Sequence, residues 1–223
     1  MPSKHDFNSI EVKQQTRLET LRVVQQRCPL IWDRKAGCLG LDWAELTSEA
    51  DPMFRTLREH DVFHPGRGGY IGVNGPDPTS RIPDDGTEAR ALLARNEALY
   101  GTEYARWVYG SLENILAEDV VTRNVGVLVA DGFYSLSAHD VVATQLTFIR
   151  FAKMQARRLG QCLLVTNLVV RGSIGQPAEA ALGRWKAALA TSVGKESLPD
   201  SCLTIYQGKS LQMALARVLY ERG

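Results

Sequence analysis

Little in this chain announces its chemistry. It has four cysteines in 223 residues, and none forms a CxxC pair. Cys28 and Cys38 stand ten positions apart, which is not a zinc-knuckle spacing. Cys162 and Cys202 lie in apolar runs, where a thiol behaves as a small hydrophobe. The four histidines include three that precede an aspartate (His5, His60 and His139), without the further ligands that a metal site needs. No metal and no cofactor is expected from these residues. The dinucleotide fingerprint GxGxxG and the nucleophile elbow GxSxG are both missing. Gly208-Lys209-Ser210 looks like the end of a phosphate-binding loop, but GxxxxGK[ST] needs glycine at 203, where the chain has Leu203. No catalytic residue is therefore assigned. Repeats and low-complexity stretches are lacking too. No apolar run approaches the ~20 residues of a membrane span. The start, Met-Pro-Ser-Lys-His-Asp, has no signal-peptide core, so the reducing cytoplasm is the expected compartment.

What is present is an ordinary globular composition, 44% hydrophobic and 23% charged, enough to build a core. The net charge of +1 hides an asymmetry. Residues 151–223 hold ten Lys/Arg against four Asp/Glu, and the remainder is net −5. Such a basic third would face an anion or simply decorate solvated helices.

The strongest pattern lies in the last hundred residues. Val125–Ala130 is an apolar run followed by Asp131-Gly132 and a helical pattern from Ser137, with Ser137 and Asp140 as a capping box. Cys162–Val170 is a second run, followed by Arg171-Gly172-Ser173-Ile174-Gly175 and a helix opened by Pro177. Leu203–Tyr206 is a third, followed by Gln207-Gly208-Lys209-Ser210 and a final helical pattern. Apolar strands alternating with helices predict a parallel sheet covered on both faces. Residues 125–130 and 162–170 are expected as parallel neighbours joined by the 137–159 helix.

The N-terminal part reads as a helix over 10–28, short strands at 30–32 and 39–41, a helix from Asp51-Pro52 to about His60, and a hairpin of 62–64 with 70–73. With a further helix at 42–48 this order matches a winged helix. Arg55 and Arg58 would share one face of its recognition helix, and Arg67 would top the wing. A small α+β packing element explains the same pattern. Three prolines and two glycines within residues 74–87 mark a linker. Beyond it, residues 88–119 read as a long helix interrupted at Gly101, with Trp107 and Leu112 on one apolar stripe.

The expected fold is thus α/β: a small α+β segment of winged-helix pattern over 1–74, a linker over 75–87, and a three-layer, Rossmann-like parallel-sheet domain over 88–223. The expected function is a nucleic-acid-associated regulator. DNA would meet Arg55, Arg58 and Arg67, and the C-terminal domain would dimerise or sense a ligand. The first alternative is an enzyme acting on a nucleotide or phosphate-bearing substrate. Its ligand would meet Asp131, Arg171, Gly172, Ser173, Gly175 and Lys209, because glycine turns at helix N-termini favour anions. The second is a scaffold subunit, and the expected assembly is a homo-oligomer or a larger complex.

Overall fold

The computed structural model describes residues 11–32, 42–46, 52–60, 62, 69–75, 85–118, 122–130, 140–169, 178–192, 202–207 and 212–222. In chain order the elements are α1 (Glu11–Arg27), α2 (Pro29–Trp32), β1 (Asp42–Leu46), α3 (Pro52–Glu59), β2 (Tyr70–Asn74), α4 (Thr87–Tyr100), β3 (Ala105–Tyr109), α5 (Leu112–Leu116) and β4 (Val125–Ala130). After them come α6 (Asp140–Leu159), β5 (Gln161–Val169), α7 (Ala178–Ser192), β6 (Leu203–Gln207) and β7 (Gln212–Glu221).

All seven strands join one sheet in the order β3-β2-β1-β4-β5-β7-β6. Strands β1 to β5 run parallel, and β7 lies antiparallel between β5 and β6. Side chains of successive strand residues point to opposite faces, so a sheet covered twice needs apolar residues at every position. Strand β4 meets that demand, with all six residues buried. Leu128 and Ala130 enter one layer with Phe148, Ile149 and Ala152 of α6, Leu112 and Ile115 of α5, and Trp185 and Leu189 of α7. Val127 and Val129 enter the other, with Leu21 and Val24 of α1 and Phe54 and Leu57 of α3. This is the expected three-layer α/β arrangement, and β4 and β5 pair in parallel as predicted, from Val127↔Leu163 to Ala130↔Thr166.

The winged helix is corrected. Asp42–Leu46 is not a helix but a central strand. Tyr70–Asn74 does not turn back in a hairpin; it pairs in parallel with β1 and with β3. The N-terminal segment therefore supplies two inner strands of the common sheet, and residues on both sides of 75–87 contribute to that sheet. Leu30–Trp32, read as a strand, lies in helix α2.

Two other readings also change. The long helix over 88–119 is α4, then strand β3, then α5. Gly101 (φ 72) ends α4, its N–H donating to Glu97 O at 2.8 Å. Trp107 sits on β3 rather than on a helix, and its indole N–H reaches Gly101 O at 3.0 Å. Leu112 is a core residue, 2% exposed. The expected final helix is strand β7, antiparallel to both neighbours. Its Met, Ala, Leu and Arg residues favour helix locally, but pairing on both sides overrides that preference.

Strand β7 also carries a buried cation. Arg217, 4% exposed, donates from Nε to Thr20 Oγ1 at 2.9 Å, from Nη1 to Thr204 Oγ1 at 3.0 Å and from Nη2 to Thr16 O at 2.8 Å. These bonds tie α1 and β6 to the sheet and satisfy donors that burial would otherwise leave costly.

The buried thiols are structural. Desolvation pushes Cys28 up from 9.0 to about 12, with Arg27 opposing it in part, and burial raises Cys162 as well. Both folded values lie above the unfolded one. The stability the thiols contribute is therefore complete below about pH 9 and is lost as pH rises through the folded values. Iodoacetamide at pH 8 is expected to label both residues far more slowly in the native protein than in urea, as peptide mass spectrometry would read. Equal rates would show that the two thiols are accessible.

Candidate ligand edge of the sheet

Because β1 to β5 are parallel, their carboxyl ends lie along one edge: Leu46, Asn74, Tyr109, Ala130 and Val169. Strand β6, antiparallel to β7 as β5 is, ends at the same edge with Gln207. The chain winds outward from β1 to β2 and β3, then returns to β4 and β5, so the winding reverses between β1 and β4. Crevices form at such a reversal, and ligands of open α/β sheets bind there.

The β2 and β3 ends are closely joined. Gly110 N donates to Asn74 O at 3.0 Å. A Cβ on Gly75 would lie 2.4 Å from Gly110 O, so only glycine lets the two backbones approach this far. Gly110 itself has φ 153, a conformation that side chains rarely allow. Ser111 then caps α5, its Oγ accepting from Asn114 N at 3.3 Å. Asn74, half-buried at the end of β2, brings a carboxamide to this edge. Beside it, Arg90 stacks over the half-exposed Tyr109 ring, 4.0 Å from its centroid. Hydrogen bonds from Thr87, side chain first and then backbone, hold the Asp85 carboxyl below its ordinary range.

Near the β4–β5 part of the edge, Gln145 and Thr166 are buried. Thr166, level with the last residue of β4, donates from Oγ1 to Gln145 Oε1 at 3.0 Å. Trp185 Nε1 approaches the same oxygen at 3.5 Å.

Of the expected nucleic-acid contacts, Arg55 and Arg58 are exposed on α3, and Arg55 faces Glu59 at 3.9 Å. Helix α3 is the crossover between β1 and β2, packed on the sheet by Met53, Phe54 and Leu57. Arg67 lies outside the described residues, as do Asp131, Arg171, Gly172, Ser173, Gly175 and Lys209. Sequence reasoning missed Asn74, Gly75, Gly110 and Gln145. Gly75 falls in the expected linker and Gly110 inside the expected long helix, and a lone glutamine in a helix gives no signal. Among the described residues, no three His, Cys, Asp or Glu side chains gather to hold a metal, and no helix is long and apolar enough to cross a membrane.

No protein-family model matches the chain, and no curated protein matches it at a significant level. Solved structures do. One is an Escherichia coli protein, yhhF, assigned as a methyltransferase: 12% identity, TM-score 0.43, covering 92% of this chain and 86% of that one. Another is a Streptococcus mutans protein assigned as a methyltransferase, in complex with S-adenosylhomocysteine: 13% identity, TM-score 0.41, covering 80% and 89%. A third is the DszA carbon methyltransferase: 13% identity, TM-score 0.45, covering 93% and 54%. At these identities the likeness concerns fold alone. The DNA-binding regulator is corrected on the fold: the helix that would read DNA, α3, is a crossover packed on the sheet, and the segments expected as a further helix and a wing strand are inner strands β1 and β2.

Proposed function

We propose that the chain is a group-transfer enzyme of the S-adenosylmethionine-dependent methyltransferase type, with the cofactor seated across the carboxyl ends of β1, β2 and β4. The observation that carries this reading is the sheet. Its order, 3-2-1-4-5 with a lone antiparallel β7 wedged before β6, is the plan on which such methyltransferases are built. A fold alone does not assign chemistry, so the edge must also suit the ligand. Support comes from β2, whose last residue, Asn74, is half-buried at this edge with a carboxamide able both to donate to and to accept from ribose hydroxyls. The close approach of Gly75 to Gly110 keeps the neighbouring strand ends flush. The cofactor, when bound, would supply an activated methyl group. The protein's part is to orient it and to bring the acceptor to the β4–β5 side. Strands β4, β5 and β6 all end there, and we keep Asp131, Arg171, Gly172, Ser173, Gly175 and Lys209, which follow those strands in sequence, as proposed ligand contacts.

Calorimetric titration with S-adenosylhomocysteine tests the reading. A single binding site is expected in the wild type. Asn74→Ala is expected to weaken it on the order of tenfold, the loss of about one hydrogen bond. The melting temperature should rise with ligand concentration, because a ligand held only by the native state stabilises it. Absence of heat and of a thermal shift would sink the methyltransferase reading.

A further inference from the structure

The basic surplus of residues 151–223 is unevenly placed, and the fold gathers much of it on one face. Helices α6 and α7 cover the same side of the sheet, where Phe148 and Trp185 share a layer. Together they carry six cations: Arg150, Lys153, Arg157 and Arg158 on α6, and Arg184 and Lys186 on α7. Their acids are Asp140 and Glu179, each in a first turn, where a carboxylate complements the helix dipole. Helix α6 runs from the carboxyl end of β4 to the amino end of β5, so its cations occupy the half away from the ligand edge. Arg157 and Arg158 suit the last turn, and Arg158 Nη1 approaches Arg123 O at 3.5 Å. No such local reason covers Arg150, Lys153 or Lys186, and no carboxylate among the described residues pairs with them.

The face is not purely charged. Leu146, Arg150, Lys153 and Arg157 recur at i, i+4, i+7 and i+11, which makes one outward stripe about 16 Å long. Met154 flanks it. Leu146 is 38% exposed and Met154 42%, so two large apolar side chains stand among the cations rather than beneath them. We propose that this outer face of α6, with the cations of α7 beside it, docks the protein on an anionic lipid surface. Phosphate headgroups would answer the cations, and Leu146 and Met154 would enter the layer between headgroup and acyl chain. A nucleic-acid backbone would answer the cations alone and leave both apolar side chains without a partner. An acidic protein would need a matching groove, because the stripe is the convex side of a helix, whereas fluid lipids rearrange around it. Docked in this way, the chain keeps its strand carboxyl ends open, and no cofactor is required.

Co-sedimentation of the full chain with vesicles tests the docking. The protein should sediment with vesicles of phosphatidylcholine and phosphatidylglycerol in equal amounts, and not with phosphatidylcholine alone. Salt should release it, because exposed charges are screened over about 10 Å at 0.1 M. The double variant Arg150→Gln, Lys153→Gln should partition on the order of thirtyfold more weakly, the loss of two cations at the surface. Leu146→Ser with Met154→Ser should weaken partition about tenfold through the lost apolar contact. Arg55→Gln with Arg58→Gln, on α3 across the sheet, removes the same charge and should leave partition unchanged. All these side chains face solvent, so urea melts of the variants should match the wild type and exclude misfolding. No sedimentation with the anionic vesicles, equal partition in either α6 variant, or an equal loss in the α3 variant would overturn the lipid docking. So would retention of polyuridylic acid that the Gln variant loses while the vesicles go unbound, since the face would then serve nucleic acid.

Discussion

Phe148→Ala is expected to cost about 3–5 kcal/mol, the largest single loss from the core. Phe148 is fully buried on α6, in the layer that also holds Leu128, Leu164 and Trp185. Three elements of different sequence distance meet there: β4, β5 and α7. Removing the ring forfeits its transfer free energy and leaves a cavity that a sheet cannot close, because strands paired on both sides do not shift independently. A domain of this size has about 5–15 kcal/mol in total, so the variant should unfold at much lower urea. Arg150→Ala, on the exposed side of the same helix, should stay within about 0.5 kcal/mol of wild type and controls for helix propensity. A loss below about 1 kcal/mol for Phe148→Ala would mean that the layer is loosely packed.

Gly75→Val is the largest expected effect on the ligand edge. The added Cβ would meet the backbone of Gly110, with the carbonyl oxygen at 2.4 Å and the carbonyl carbon at 2.5 Å. No flexible side-chain end is available to move away, so β2 and β3 must part. Overpacking of this kind costs about 1–3 kcal/mol in stability. If the cofactor spans the strand ends as proposed, a comparable penalty falls on binding, on the order of tenfold to hundredfold in the S-adenosylhomocysteine dissociation constant. Gly183→Ala separates the clash from the general cost of losing a glycine. Nothing lies within 4 Å of a Cβ there, and the position is inside helix α7. It should stabilise by about 0.5–1 kcal/mol and leave binding unchanged. Unaltered affinity in Gly75→Val would place the ligand elsewhere.

The residues themselves determined the doubly covered strands. Val125–Ala130 and the run from Cys162 are apolar at nearly every position, and only burial on both faces accounts for that. The helix between them followed from its periodicity, and the direction of the pair followed from the helix, since a strand-helix-strand unit makes its strands parallel. Pro52 opened α3 where its fixed φ favours a first helical position.

Tertiary structure decided the rest. Asp-Trp-Ala-Glu-Leu at 42–46 has no strand pattern of its own; it is a strand because β2 and β4 bond it from both sides. Ala105–Tyr109 continued an apparent helical stripe, because four or five residues fit either period, and pairing with β2 settled it. Gln212–Glu221 is rich in helix formers, yet it fills the gap between β5 and β6, where an inner strand satisfies both rows of backbone groups. The candidate edge and the buried polar cluster behind it belong to the same class of fact. Asn74 and Gly110 are 36 positions apart, and Gln145, Thr166 and Trp185 come from three elements. Local sequence biases local conformation, and strand pairing can override it. Which strand ends lie side by side depends on an order of strands that no short stretch of the chain encodes.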